Sequence, residues 1–409
     1  MKFYSKYAFY GVCIIALAAC SSGGKGSEGK KTAAADSLKG KDIKQEKARP
    51  TDRTFNDMGR FIAGLPSEEG SKMAAYEKDV AWQNYVASAN NQWAGINKKF
   101  EVMAKWRDEE LKAPTKAGGL LFYPFSGPDF LHAAAFFPTV EEVVMIGLEP
   151  IGSLPDFEKI SKKGMGGYFN GIQRGLFSIL GLSFFQTNDM ANDYTGRVNT
   201  DVDGTLPALM LFVERTGHKI LYYEKVAIAA DGKLIPATEI KVADPKKDTT
   251  YYGTRIDYQA PNSDKRHSLY YLGLNLSNDR YMGLGGLNQR SDLLNYLKSL
   301  NITSTYLKSA SFLMYKPYFS IIRDLILEKA KFVLQDDSGM AFENFTKGGK
   351  WDITLFGVYA GPIPLFSNYW QNDIAQAYKQ GTYPVRPLPF GIGYQYRQGS
   401  SNLMLATKK

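Results

Sequence analysis

Residues 118–150 read GGLLFYPFSGPDFLHAAAFFPTVEEVVMIGLEP, and this stretch decides the fold class. It holds two apolar runs, Leu120–Phe125 and Val143–Ile146. Both are too short for helices and carry no polar alternation, which is the pattern of strands buried on both faces. Between them, Ser126-Gly127-Pro128-Asp129 is turn chemistry, and Asp129 stands where a helix would begin. Phe130–Phe137 then reads as a short helix. Strand, helix, strand is a βαβ unit, so the body is expected to be α/β with a parallel or mixed sheet.

Working outward, residues 70–111 place Met73, Tyr76, Val80, Tyr85, Trp93, Ile96, Phe100, Met103 and Trp106 at spacings of three to five, the period of a helical N-terminal segment. Gly95 is expected to break it in two, with the tryptophans as packing anchors. Helices are expected over 169–187 and 206–216, and a strand over 219–229 turned by Asp231-Gly232. Residues 244–267 are polar apart from a strand near 251–258, so a division of the body into two lobes is expected near 245–267. A strand at 269–274, helices at 293–300, 305–314 and 319–331, and a strand at 332–334 follow. The second half thus repeats the first in outline, which suggests duplication. In the aromatic tail, 353–359, 391–396 and 403–406 are expected to be antiparallel strands, with a short helix at 372–379.

The chain opens MKFYSKYAFYGVCIIALAAC. A charged start, an apolar core too short for a bilayer and a small-residue exit is the pattern of an export leader. Leu17-Ala18-Ala19-Cys20 resembles the bacterial lipobox, and that resemblance implies cleavage before Cys20 and lipidation of its sulfur and new amino terminus. Residues 1–19 are then a lipoprotein signal peptide, 20–54 the lipidated cysteine and a disordered tether, and 55–409 the α/β body. Several acyl chains give a lasting anchor where one is marginal. The two cysteines are Cys13 and Cys20, so the body has no disulfide to lean on. Ser21 is the residue expected for outer-membrane sorting, with the periplasmic face expected over the cell surface.

The tether is rich in Gly, Ser and Lys and has a typical reach of about 30 Å. The formal charge of the whole chain is +9, but the leader carries +2 and residues 21–53 carry +4, leaving +3 over the 356 residues from Thr54 on. A basic footprint for nucleic acid needs its charge on the domain, so nucleic acid is not an expected partner. The cationic tether suits anionic lipid headgroups.

Three groups of residues invite chemistry. Asp201-Val202-Asp203-Gly204-Thr205-Leu206 resembles the nucleophile motif of haloacid-dehalogenase-like phosphatases, which implies a nucleophilic Asp201. That family sets the aspartate at the tip of a buried strand, and residues 193–200 do not form one, so Asp203 or Thr205 is better read as a helix cap. Ser126, Asp129 and His132 are candidate catalytic residues of a Ser-His-Asp hydrolase, although FSGPD lacks the GxSxG elbow. Asp129, Glu149, Asp336 and Asp337 would gather at the carboxyl edge of one sheet, where carboxylates without cysteine suit Mg²⁺ or Ca²⁺. The plainer reading leaves Asp129 as a cap and the other acids in solvated turns. His218 and His267 are expected at the surface, and Gly164–Tyr168 is expected to be a loop. No cofactor motif is present.

LFYPFSGPDFLHA (121–133), VLQDDSG (333–339) and LPFGIGYQYRQGSSNLMLA (388–406) resemble segments of a family of exported bacterial proteins to which no activity is attached. Together these readings imply a membrane-anchored envelope lipoprotein that binds or scaffolds within an assembly and meets an envelope protein partner. A metal-assisted hydrolase of phosphate or carbohydrate esters is the alternative.

Overall fold

The computed structural model describes residues 49–182, 202–242, 250–281, 283–309, 317–362, 370–395 and 397–409. The leader, Cys20, most of the tether and Asp201 lie outside the described residues. Pro50–Lys409 form one compact unit. The body therefore starts ahead of residue 55. Asp52 caps the helix Arg53–Ile62 by accepting from the Thr54 N–H at 2.9 Å, and its own N–H donates to the carbonyl of Leu221.

One eleven-stranded mixed sheet organises the unit. Its strands are β1 (Leu120–Pro124), β2 (Glu142–Gly147), β3 (Lys219–Ile228), β4 (Leu234–Pro236), β5 (Tyr252–Gln259), β6 (Arg266–Gly273), β7 (Ile302–Leu307), β8 (Phe332–Gln335), β9 (Trp351–Gly357), β10 (Val385–Arg386) and β11 (Asn402–Lys408). They lie in the order β10-β9-β11-β8-β7-β1-β2-β6-β5-β3-β4. The middle run β8-β7-β1-β2-β6 is parallel throughout. Antiparallel pairs extend it at both ends, β11 with β8 and β9 on one side and β5 with β6 and β3 on the other. The fold is mixed α/β.

Each central strand feeds both faces of the sheet. Leu121 and Tyr123 point into one core with Val143 and Met145, while Leu120 and Phe122 point into the other with Val144 and Ile146. Helix Phe130–Phe136, between β1 and β2, packs in the first core, and helix Ser320–Lys329, between β7 and β8, packs in the second. The sheet is therefore wound outward from β1 and β7 in opposite directions, with crossovers on opposite faces. That makes the β1–β7 border its topological switch point.

Several expectations are corrected. The N-terminal helix Val80–Glu110 runs unbroken through Gly95, which faces open space and costs only its propensity. Its tryptophans do anchor packing: Trp82, Trp93 and Trp106 are buried and donate Nε1–H to the carbonyls of Phe61, Arg215 and Pro387. The described part of 245–267 carries β5 and the start of β6, a hairpin inside the sheet, so no lobe boundary lies there. Residues 302–307, expected to run into a helix at 305–314, are the strand β7, because Ile302, Thr303 and Thr305 supply β-branched chains to a buried position. Residues 391–395 are irregular, with a single bridge between Ile392 and Gln395. His218 and His267 are buried around the Tyr258 ring, not at the surface. Among the described residues no helix is long and apolar enough to cross a membrane.

Candidate functional site

The carboxyl ends of β1 and β7 part company. Their pairing stops at Phe122–Thr305, while β1 continues with β2 to Pro124–Ile146 and β7 with β8 to Leu307–Gln335. Polar side chains fill the space so opened. The backbone bends sharply on both sides of it: Phe125, just after β1, has φ 58°, and Ser309, just after β7, has φ 56°. Only three non-glycine residues are described with positive φ, and two of them flank this border. Such strain persists where the surroundings over-determine it, and it gathers at functional sites.

Asp129 sits at the centre of the first group. It caps helix Phe130–Phe136 through the His132 N–H, and it is fully buried. Its Oδ2 accepts from the Tyr123 hydroxyl at 2.8 Å and from Lys308 Nζ at 2.5 Å. His132 Nδ1 lies 2.9 Å from both carboxylate oxygens and 3.1 Å from Lys308 Nζ. Burial alone would raise the Asp129 carboxyl, but His132 and Lys308 overcome it and hold the group well below the usual carboxylate range. Burial pushes His132 down to about 4, with Lys308 adding to that against the pull of Asp129, so the ring is neutral at pH 7. Lys99, on the long N-terminal helix, is lowered to about 8 by burial and by Lys308. The group is thus an ionised Asp129 paired with Lys308, the neutral His132 alongside.

The second group lies two strands away. Asp336 follows β8, and its N–H donates to the carbonyl of Leu307. Its Oδ2 accepts from the Ser309 N–H at 3.1 Å, and its Oδ1 accepts from the Ser338 N–H at 3.0 Å and from the Ser338 hydroxyl. The Ser338 hydroxyl also lies 2.7 Å from the carbonyl of Ser309, which stitches the two strand ends together. Gly393 (φ +66°) lies so near Asp336 Oδ2 that any Cβ there would collide with the carboxylate. Burial raises Asp336 to about 6 against its Ser338 and Ser309 hydrogen bonds. Burial and then the neighbouring Asp336 raise Asp337 to about 7, against the amides of Asn402 and Gln395. The pair titrates as a unit close to neutrality.

This second group has partners to spare. Among the described residues, Asp337 Oδ2, Asn402 Nδ2 and Ser309 Oγ are buried with no hydrogen bond of good geometry, the Asn402 amide lying near enough to Asp337 only to lower its proton affinity. The Tyr306 hydroxyl, also unpaired among them, lies on the Asp129 side, its ring 4.8 Å from that of Tyr123. Buried polar atoms in folded proteins are nearly always paired, and each one left over costs about 1–3 kcal/mol.

The candidate residues named from sequence are thus only partly brought together. Asp129 and His132 meet. Ser126 stands at the same strand end, but its hydroxyl is turned to the carbonyls of Gly127 and Ile146 at 2.7 and 3.3 Å, so no Ser-His-Asp relay is assembled. Glu149 follows β2, is buried and accepts from the Tyr271 hydroxyl at 3.0 Å. Asp336 and Asp337 belong to the second group. The acids are buried, not in solvated turns, yet among the described residues no three of His, Cys, Asp and Glu gather as a metal ion would need. Asp129, Glu149, Asp336 and Asp337 therefore do not form one carboxylate cluster. Asp203 accepts from the Ser153 hydroxyl at 2.6 Å, while Thr205 occupies the N-cap of the helix Leu206–Arg215, its hydroxyl donating to the Pro150 carbonyl at 3.3 Å instead of making a capping bond. Gly166 already belongs to a helix, Gly166–Leu182.

Sequence reasoning missed Lys308, Ser309, Tyr306, Gln395 and Asn402. The first three were hidden by reading 305–314 as a helix. A signal for the last two was present, since QDDSG and the 388–406 segment were both singled out, and they meet here. No protein-family model matches the chain, and neither does any curated protein. Fold and site together define a doubly wound α/β body with buried polar side chains and a strained backbone at its switch point.

Proposed function

We propose that this chain is a lipid-anchored protein of the cell envelope whose body binds a small polar ligand at the switch point. Cys20 carries the anchor, at the outer membrane and facing the periplasm, and an envelope protein partner would share the assembly. The observation that carries the binding role is the set of unpaired buried polar atoms around Asp336 and Asp337, beside a backbone strained at Phe125 and Ser309. Ligands of open α/β sheets bind beyond the carboxyl ends of the strands at this position.

A hydrolase is the second reading, and the Asp336–Asp337 pair favours it. Two carboxyls titrating near neutrality can give and take a proton at pH 7. A Mg²⁺ or Ca²⁺ ion would have only these two carboxyls to hold it, since no third acid or histidine gathers with them among the described residues.

Thermal denaturation tests both. A dialysable extract of the cell envelope should raise the Tm of the wild type and leave Asp336→Asn/Asp337→Asn unmoved. A ligand at 100 times its Kd adds about 2.7 kcal/mol, which is readily seen. A shift produced by Mg²⁺ or Ca²⁺ and reversed by EDTA would favour the hydrolase. No shift under any condition would overturn the binding role. The anchor is tested separately: Cys20→Ala should move the protein out of the membrane fraction or leave it unprocessed, and firm membrane attachment of that variant would contradict it.

A further inference from the structure

The chemistry around Asp337 narrows the ligand. The Asp337 carboxyl is bordered by the amides of Asn402 and Gln395, and its backbone carbonyl accepts from Gln371 Nε2 at 3.0 Å. Gln395 Nε2 also donates to the carbonyl of Gly361 at 3.1 Å. The Gln371 N–H donates to the Tyr359 hydroxyl at 3.0 Å. Trp370, one residue earlier, lies nearly parallel on the Tyr359 ring, with centroids 4.6 Å apart and planes 15° from each other. Tyr359 is buried, whereas Trp370 keeps 40% of its surface exposed. Trp370 thus immediately precedes the glutamine that bonds the Asp337 backbone and is stacked on the ring whose hydroxyl accepts from that glutamine's N–H.

We infer that the ligand is a neutral carbohydrate, stacked on Trp370 and hydrogen-bonded by Asp337, Asn402 and Gln395. This rests on the binding role proposed above. Three features select this class. The atoms left without a partner among the described residues are mixed: Asp337 Oδ2 accepts, Asn402 Nδ2 donates, and the Ser309 hydroxyl does either. All three belong to side chains at least nine-tenths buried. A pair of neighbouring sugar hydroxyls, each both donor and acceptor, satisfies an acid and an amide together. Phosphate would instead confront two carboxyls, and Lys308, whose charge reaches Asp336, is already bonded to Asp129. The C–H face of a pyranose ring, finally, suits the electron-rich face of an exposed indole.

The test uses the mature, lipidated chain in a non-glycosidic detergent, so that the detergent does not compete. Maltohexaose, cellohexaose, xylohexaose and chitohexaose are titrated separately, with inorganic phosphate as the charged control, and binding is read by calorimetry and tryptophan fluorescence. At least one hexasaccharide should bind saturably. Trp370→Ala should weaken it about tenfold or more, or roughly 1.4 kcal/mol, while Trp370→Phe stays within about threefold. Because Trp370 is partly exposed, its variants should keep the wild-type Tm, and Asp337→Asn gives an independent second variant that should also weaken binding. Equal affinity of wild type and Trp370→Ala for the sugar would overturn the assignment. Binding of phosphate with none of the four sugars would overturn it too, yet leave the binding role standing. Failure of both classes, together with no Tm shift from the envelope extract, would sink both.

Discussion

Asp129 and Asp337 both follow the carboxyl end of a parallel strand, both are buried, and both were candidates on sequence grounds. Their electrical states are opposite. Asp129 is surrounded by the Tyr123 hydroxyl, Lys308 and His132, so its charge is stabilised and its oxygens are occupied. Burial and a second carboxyl for a neighbour push the proton affinity of Asp337 up, and among the described residues one of its oxygens has no partner. Position on the sheet edge is shared, and the supply of partners is what differs. The first acid is closed and holds the two central strands together. The second is left open, and there a ligand has something to gain.

The largest expected effect breaks the closed side. Lys308→Met strands the Asp129 charge in the core, and removing one partner of a buried ion pair costs about 3–5 kcal/mol. Urea denaturation measures it, and a loss below about 1 kcal/mol would mean that Tyr123 and His132 suffice without Lys308. In the same variant the His132 pKa should climb from about 4, since Lys308 holds it down, and NMR titration reads that directly.

A pH series sharpens the contrast, because the two acids respond with opposite sign. Asp336 and Asp337 are raised from 3.8 to about 6 and about 7. Below pH 4 both folded and unfolded chains keep these protons. Between pH 4 and 7 the unfolded chain releases them first, so their contribution to stability is lost as pH rises, by up to about 1.4 kcal/mol per unit for each proton. Asp337→Asn should flatten that decline. Asp129 is depressed, so its contribution is present above its unfolded value and lost as pH falls below about 4. Identical pH profiles for the wild type and Asp337→Asn would remove the open acid from the comparison.

The smallest effect probes the strain between the two sides. Ser309→Gly relieves a left-handed backbone and keeps the N–H that bonds Asp336, while the lost hydroxyl has no partner among the described residues. Against the entropy of glycine in the unfolded chain, a net gain of about 0.5–1 kcal/mol is expected in thermal denaturation. A loss of stability would show that the Ser309 hydroxyl is satisfied in solution.

The closed side was the more legible in sequence. The apolar runs of β1 and β2 and the capping aspartate between them are local signals, and they located Asp129 and His132. The open side depends on distant segments. β7 reads ITSTYL, and its Ser304 and Thr305 are buried despite their polarity, so hydrophobic periodicity could not announce it. With that strand misread as helix, Lys308 and Ser309 had no place on the edge. Residues 391–395 alternate like a strand but are held irregularly, with Gly393 admitted only because it lacks a side chain beside Asp336. Strand order is also non-local: β7 returns past β1 after β2 and β6 have been laid down on its other side. That return creates the switch point, and nothing in any single segment encodes it.

Hydrogen exchange followed by mass spectrometry, with and without a saturating neutral oligosaccharide, tests the division of labour most directly. Protection should rise in peptides covering 333–342, 370–381 and 397–405, and stay unchanged in those covering 120–132. Protection confined to 120–132, or absent throughout, would contradict the assignment of the open side as the ligand's seat.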